Sequence, residues 1–410
     1  MDRKLSTSEL RIGMYVSRVD RPWLDTPFLF QGFRIRNDHD VDTLRRYCRF
    51  VFVDETRRDD RPPLEALRTF GTLPQSEELR AIPGLPAQRV AYEDTVAIEQ
   101  EIPRARDTRH DLGQVVEEMV RNIQLDKKID VSTMHTAIGD MVESVIRNPD
   151  ALLWLTKLRS VDSYAYDHAI NTAVLAVMFG RHLGLPRDQL HDLGLTGLLF
   201  DIGKIKLPPQ LLAKAGQLTD AEVVQVRKHV DFGVEILSQS GGIAERVIDG
   251  VRHHHERHDG HGYPHGLRGG EIPIFARIIA IVDCFDALTS TRPFRAAISA
   301  HHAIREMYQW RDTAFQAQFF EQFIQCLGVY PTGTIVELSS GEVAIVVAQN
   351  RTRRLRPRVM LILDVDKLAL ERKSILDLGD ELPGMGSRPL EIISSHDSGA
   401  FGIDTRHYFA

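Results

Sequence analysis

The chain is poor in cysteine: Cys48, Cys284 and Cys326 are the only three in 410 residues, odd in number and far apart. That excludes a disulfide framework and a paired-cysteine zinc ribbon, and it fits a reducing compartment. No charge of one sign dominates. The formal net charge of −6 gives no overall attraction to nucleic acid, so no DNA partner is expected. No apolar run approaches the roughly 18 residues that a membrane span needs. The opening "MDRKLSTSELRIGMYV" also lacks the apolar core of a secretory leader. These absences predict a cytoplasmic protein with no membrane segment.

What is present suits a globular chain: 43% hydrophobic, 26% charged, and long enough for two or three domains. Residues 1–75 mix short β-like runs with turns. "RIGMYVSRV" and "RFVFVDET" are rich in Val, Tyr and Phe, and "DHDVDTLRRYC" reads as a short helix with an Asp cap. Trp23, Phe28 and Phe30 read as the core of that module. Residues 76–110 are irregular, with Pro83 and Pro86 and many charges, and read as a linker.

From about 111 the apolar period becomes 3.6, in "DLGQVVEEMVRNIQ", "VSTMHTAIGDMVESVIRN" and "YDHAINTAVLAVMFGRHLG". Further helices are expected near 187–200, 219–238, 243–255, 272–290, 299–310 and 314–326. After "GVYPTGT" the pattern returns to β, with a hairpin turning at Ser340-Gly341 and "PRVMLILDV" as a third strand. The predicted fold is therefore multidomain and mainly α. An all-helical bundle at 111–327 follows a small α/β N-terminal module and precedes a small β tail at 328–410. The basic stretch "RTRRLRPR" in that tail reads as a solvated loop, because no aromatic residue is interleaved with it.

The helical block is dense in histidines near carboxylates. His168 and Asp283 lie inside apolar helices, Asp201 ends one, and His229 lies late in the expected helix 219–238. "RHHHERHDGHGYP" adds His253, His254, His255, Glu256 and Asp259. A carboxylate in an apolar run must be paired, hydrogen-bonded or metal-bound, since burying it alone is costly. Imidazole with carboxylate is the ligand chemistry of Zn, Mn and Fe. Each residue alone could be structural; together they point to one metal centre. Asp286, one turn after Asp283, reads as a capping or supporting carboxylate.

"HHERHDGHGYPHGLRGGEIPIFARIIAIVDCFDALTSTRPFR" resembles the signature of the HD-GYP family, bacterial cyclic di-GMP phosphodiesterases. With "DIGK" and "KHVDFG", the resemblance spans roughly residues 150–325. "LRIGMYVSRVDRPWLDTPFLFQGFRI" is similar to a domain of unknown function that often precedes HD-GYP domains. The resemblance implies hydrolysis of cyclic di-GMP to pGpG, GMP or both, using one or two divalent ions (Fe, Mn or Zn). It implies the metal ligands His168, Asp201, His229, His254, His255 and Asp283. Asp201 would bridge two metals, His168 and Asp283 would serve one, and His229, His254 and His255 the other. Asp201 and Lys204 would be catalytic, with Lys204 on the phosphate. Gly262, Tyr263, Arg292 and Arg295 would hold the dinucleotide. Diguanylate cyclase domains or other signalling proteins are the implied protein partners.

One position departs from the family pattern. Phe200 stands where the family has the histidine of its His-Asp pair, a ligand of the first metal. His191-Asp192 cannot substitute: they lie nine residues earlier, and at about 100° per residue that is the opposite helix face. The chain is then a slow phosphodiesterase with one metal weakened. Two other readings stay open: a domain that binds the dinucleotide or a protein without hydrolysis, and an enzyme for another cyclic dinucleotide.

Overall fold

The computed structural model describes residues 2–19, 33–35, 41–42, 44–45, 48–54, 82–156, 164–214, 218–290, 297–308, 310–350, 353, 355–380, 390–396, 399–403 and 408. The chain divides into two units, residues 1–71 with 351–353, and residues 72–350 with 354–410. In the first unit, β1 (Asp2–Ser6), β2 (Tyr15–Val19), β3 (Phe33–Arg34) and β4 (Phe50–Asp54) pair antiparallel in the order β1-β4-β2-β3. Val51 and Val53 of β4 point into a core with Leu5, Val16 and Ile35, while Phe50 and Phe52 alternate to the other face. β1 carries one buried leucine among charged residues and gave no strand signal of its own. Trp23, Phe28 and Phe30 lie outside the described residues.

The second unit is built on helices α1 (Ile98–Gln124), α2 (Val131–Arg147), α3 (Pro149–Leu155), α4 (Tyr164–Leu183) and α5 (Arg187–Leu199). The expected linker 76–110 is corrected at its second half: residues 98–110 are the start of α1. Its buried stripe, Ile98, Glu101, Ala105, Thr108, Leu112, keeps helical spacing, but two of the five are polar, which hid the period. Glu101 is fully buried because Ser144 Oγ donates to it at 2.8 Å and Arg147 Nε and Nη2 at 2.8 and 2.7 Å. Residues 82–97 are not helical, yet they strap onto this unit. Ile82 is buried in the core, Tyr92 Oη donates to Leu185 O at 2.9 Å, and Arg181 pairs with Asp94 at 2.8 Å.

The remaining site-bearing helices are α6 (Asp220–Arg227), α7 (His229–Ser240), α8 (Glu245–His253) and α9 (Ile274–Thr289). The single helix expected over 219–238 is thus two, broken at Lys228, and His229 opens the second rather than lying late in one. Two further helices, α10 (Ala300–Tyr308) and α11 (Ala317–Leu327), follow. Among the described residues no helix is long and apolar enough to cross a membrane.

The β tail has the expected hairpin, β5 (Ile335–Leu338) and β6 (Val343–Ala348), with β7 (Arg358–Leu363) as third strand. Two short edge strands, β8 (Ile375–Asp377) and β9 (Ile392–His396), extend it to the antiparallel order β8-β7-β6-β5-β9. Its faces alternate. Ile335, Val343, Ile345 and Val347 join the helical core, and Val336, Leu338, Ala344 and Val346 form a core of their own. The backbone N–H of Gln349 donates to Asp150 Oδ2 at 3.1 Å, tying the sheet to α3.

Candidate metal centre

Asp201, His229, His254 and His255 come from three places: the end of α5, the start of α7 and the end of α8. One ligand atom from each lies within 4.8 Å of all the others. The close approach depends on Gly203. A Cβ there would overlap the His229 carbonyl oxygen and crowd the Gly233 amide, so only glycine lets this turn rest against α7.

Hydrogen bonds set the imidazoles. His229 Nδ1 donates to Val226 O at 2.8 Å, and His254 Nδ1 donates to Val251 O at 2.6 Å. Each Nε2 therefore carries a lone pair, and the two face each other at 3.4 Å. Asp201 Oδ1 lies 3.3 Å from His229 Nε2 and 3.8 Å from His254 Nε2. It is buried and has no hydrogen-bond partner. Lys204 Nζ holds the other oxygen, Oδ2.

Burial pushes His254 down to about 4, against the pull of Asp201, and also lowers His229. His255 is held well below the usual histidine range by burial and by its histidine neighbours. Burial opposes ionisation of Asp201, but Lys204 and the histidines outweigh it and hold the carboxyl below its ordinary value. Convergent neutral imidazoles and an ionised carboxylate with an orphaned oxygen are the donor set of a divalent cation. The residues present fit such an ion.

The other two expected ligands stand apart from this cluster as a closed group. His168 Nε2 lies 3.0 Å from Asp283 Oδ1, and its Nδ1 lies 2.8 Å from Asp286 Oδ2. Asn171 Nδ2 and Ser290 Oγ also donate to Asp286, at 3.2 and 2.9 Å. Burial disfavours charge on His168, yet Asp283 and Asp286 overcome it and push the imidazole up to about 9. Phe200, fully buried, stands between the groups, its ring centroid 5.6 Å from that of His168 and 5.2 Å from that of His254. His191 and Asp192 are committed elsewhere: His191 Nε2 to His135 O at 2.9 Å, and Asp192 to Arg246.

Tyr263 stacks on His255, with ring centroids 4.6 Å apart and planes at 27°. Gly262 lies against the His255–Arg257 backbone, where a Cβ would clash with three backbone atoms. Glu256, 1% exposed, closes the loop by accepting from His265 N at 2.8 Å and Leu267 N at 3.1 Å. Arg292 and Arg295 lie outside the described residues. Three contributors were missed or undervalued in sequence: Asp286 as the anchor of His168, Glu256 as the clamp of the loop, and Arg227, whose guanidinium sits 4.6 Å from the Tyr263 ring centroid. Only the spacing of Asp286, three residues after Asp283 in an apolar run, and the Glu after three histidines signalled the first two; Arg227 looked like any helix-surface arginine.

Helices that gather histidines and aspartates into two adjoining groups, one of them fit for a cation, suit an HD-type protein, and comparison agrees. A family described as HD domain matches residues 146–318. A domain of unknown function, DUF3391, matches residues 2–134, and a KOW domain associated with HD domain matches residues 335–384. The chain is 34% identical over 381 residues to a protein of Pseudomonas aeruginosa named cyclic di-GMP phosphodiesterase, covering 92% of this chain and 89% of that one. It is 35% identical over 157 residues to a 3'3'-cGAMP-specific phosphodiesterase of Vibrio cholerae, covering 38% of this chain and 36% of that one. A solved HD-GYP-type protein from Bdellovibrio bacteriovorus aligns with a TM-score of 0.47 at 16% identity, over 79% of this chain and 98% of that one. The chain belongs to the HD-GYP family, with an N-terminal DUF3391 region.

Proposed function

We propose that the chain is a metal-dependent phosphodiesterase that hydrolyses cyclic di-GMP. The observation that carries this reading is the cluster of Asp201, His229, His254 and His255, whose unshared lone pairs converge beside Lys204. The near full-length relative named for cyclic di-GMP supports the substrate. A divalent cation held there would act as a Lewis acid on the phosphodiester and lower the pKa of water toward 7.

The chain's own residues supply the rest. Asp201, whose Oδ1 has no hydrogen-bond partner, would help to hold the ion, while Lys204 neutralises Oδ2. Lys204, about two-fifths exposed, can turn its ammonium to a phosphate oxygen and stabilise charge as it develops there. Tyr263 walls the substrate side of His255. Arg292 and Arg295 are proposed to hold phosphate oxygens through bidentate guanidinium contacts. The metal count we infer is one: His168 is occupied by two carboxylates, and Phe200 fills the space before it. The domain limits we propose are those of the sequence, with the helical body's N-terminal border moved ahead of its strap.

The test is metal analysis of the purified protein with a cyclic di-GMP hydrolysis assay. One Fe, Mn or Zn per chain with release of pGpG or GMP is expected. Binding of cyclic di-GMP without product would favour the non-hydrolytic reading, which the closed His168 group and Phe200 motivate. Preferential cleavage of 3'3'-cGAMP would move the substrate to another cyclic dinucleotide.

A further inference from the structure

We infer that Arg227 is a specificity-determining residue that receives a purine base of the substrate; this rests on the proposed phosphodiesterase reading and deepens it. Arg227 ends α6, the helix that runs into the break before His229. Its guanidinium carbon lies 4.6 Å from the centroid of the Tyr263 ring, and Tyr263 in turn stacks on His255 at 4.6 Å. Tyr263 thus links His255 of the metal cluster to Arg227, whose side chain is exposed. The Arg227 side chain is exposed, and among the described residues it has no hydrogen bond and no ion pair. An arginine whose contact is with a ring keeps its five N–H donors for a ligand, and its guanidinium is a plane on which a base can stack.

The chemistry of these three residues selects the ligand. A phosphate would be held by the single metal ion and Lys204; the next flat surface a nucleotide presents is its base. Guanidinium planes and aromatic rings are the platforms on which bases stack. The His255 end of these contacts is metal-binding, and the Arg227 end is an exposed cation. A purine suits that end better than a second phosphate, because Tyr263 and Arg227 together offer an aromatic ring and a guanidinium, the two groups on which bases stack.

The test is calorimetric binding to the full-length, metal-loaded protein, with cyclic di-GMP and inorganic phosphate as separate probes. Wild type is compared with Arg227→Ala and Arg227→Lys, and thermal melting and metal content are checked in all three. Loss of a stacked base predicts about 5- to 150-fold weaker cyclic di-GMP binding in Arg227→Ala, with phosphate affinity unchanged. Arg227→Lys, which keeps the charge and loses the plane, should weaken the dinucleotide similarly. Equal loss for both probes in Arg227→Ala, with rescue by Arg227→Lys, would show a phosphate contact and overturn the proposal. Unchanged cyclic di-GMP binding in both variants would overturn it as well. A wild-type protein that binds phosphate but no cyclic di-GMP would overturn the phosphodiesterase reading itself, and this proposal with it.

Discussion

The rings of Phe200 and His254 meet edge-on, with centroids 5.2 Å apart and planes at 86°. The same phenyl meets His168 at 5.6 Å and 71°, so one apolar ring separates the two halves of the centre. Phe200→His is therefore expected to raise the metal content toward two ions per chain and to increase cyclic di-GMP turnover above wild type. An unpaired ring nitrogen would cost the metal-free protein about 1–3 kcal/mol. Metal stoichiometry and pGpG release with Mn, Fe and Zn check this. No gain in either would mean that the His168–Asp283–Asp286 group stays closed, and would favour binding without hydrolysis.

Gly203 offers a second test, because its contact is with backbone and cannot move aside. Gly203→Ala should push the turn away from α7, displace His229 and release the metal, with a stability loss of about 1–3 kcal/mol or more. Gly139 in α2, where an added Cβ would meet nothing within 4 Å, is the control. Gly139→Ala should leave metal content alone and stabilise by up to about 1 kcal/mol. Metal analysis with thermal denaturation separates the two.

The metal-free protein should be most stable slightly acid of neutral, near pH 6.5. His168 is raised from 6.5 to about 9, so its contribution is fully present below pH 6.5 and is lost as pH rises through 9. His254 is lowered from 6.5 to about 4, so the unfolded chain binds the extra proton first and stability falls as pH drops from 6.5 toward 4. Melting temperatures after chelation, across pH 4 to 10, measure both limbs. His168→Asn should flatten the alkaline limb; an alkaline limb unchanged by that variant would refute the assignment.

Glu256→Ala should loosen the loop that carries Tyr263. It strands the amides of His265 and Leu267, at about 1–3 kcal/mol for each group left unsatisfied. The expected outcome is a lower melting temperature and a raised KM for the dinucleotide, with metal content retained, because Glu256 touches none of the four clustered ligand atoms. Loss of metal together with KM would show that the loop also supports the cluster.

The helical body was legible because a buried face repeats at helical spacing in α2, and because α4 and α5 are long, largely apolar runs bounded by Gly184 and Pro186. The candidate ligands were legible because charge inside apolar runs needs a reason. What escaped notice was set by tertiary partners. α1 hid its period behind buried Glu101, whose partners Ser144 and Arg147 lie more than forty residues away. The break at Lys228 lies between two segments that each read as helix, and just beyond it His229 packs against Gly203, 26 residues distant. β8 and β9 are short, and their strand character comes from neighbours β7 and β5 rather than from alternation of their own. The Phe200 substitution was readable, but not that His168 would turn to Asp286 and Asp283, because no sequence spacing tells which carboxylate a buried imidazole will choose.

The strap of residues 82–97 determines where this protein can be cut. Trimming the chain to Ile98, where the first helix begins, would take Asp94 from buried Arg181 and the Pro83 carbonyl from buried Arg277. It would also uncover the apolar surface that Ile82 seals. Removing a partner from a buried cation costs more than losing a surface contact. A fragment begun at Ile98 should then aggregate or be digested quickly, whereas cleavage ahead of Ile82 should leave a protease-resistant remainder. Limited proteolysis would therefore place the border of the durable piece at or ahead of Ile82, sixteen residues before the first helix begins.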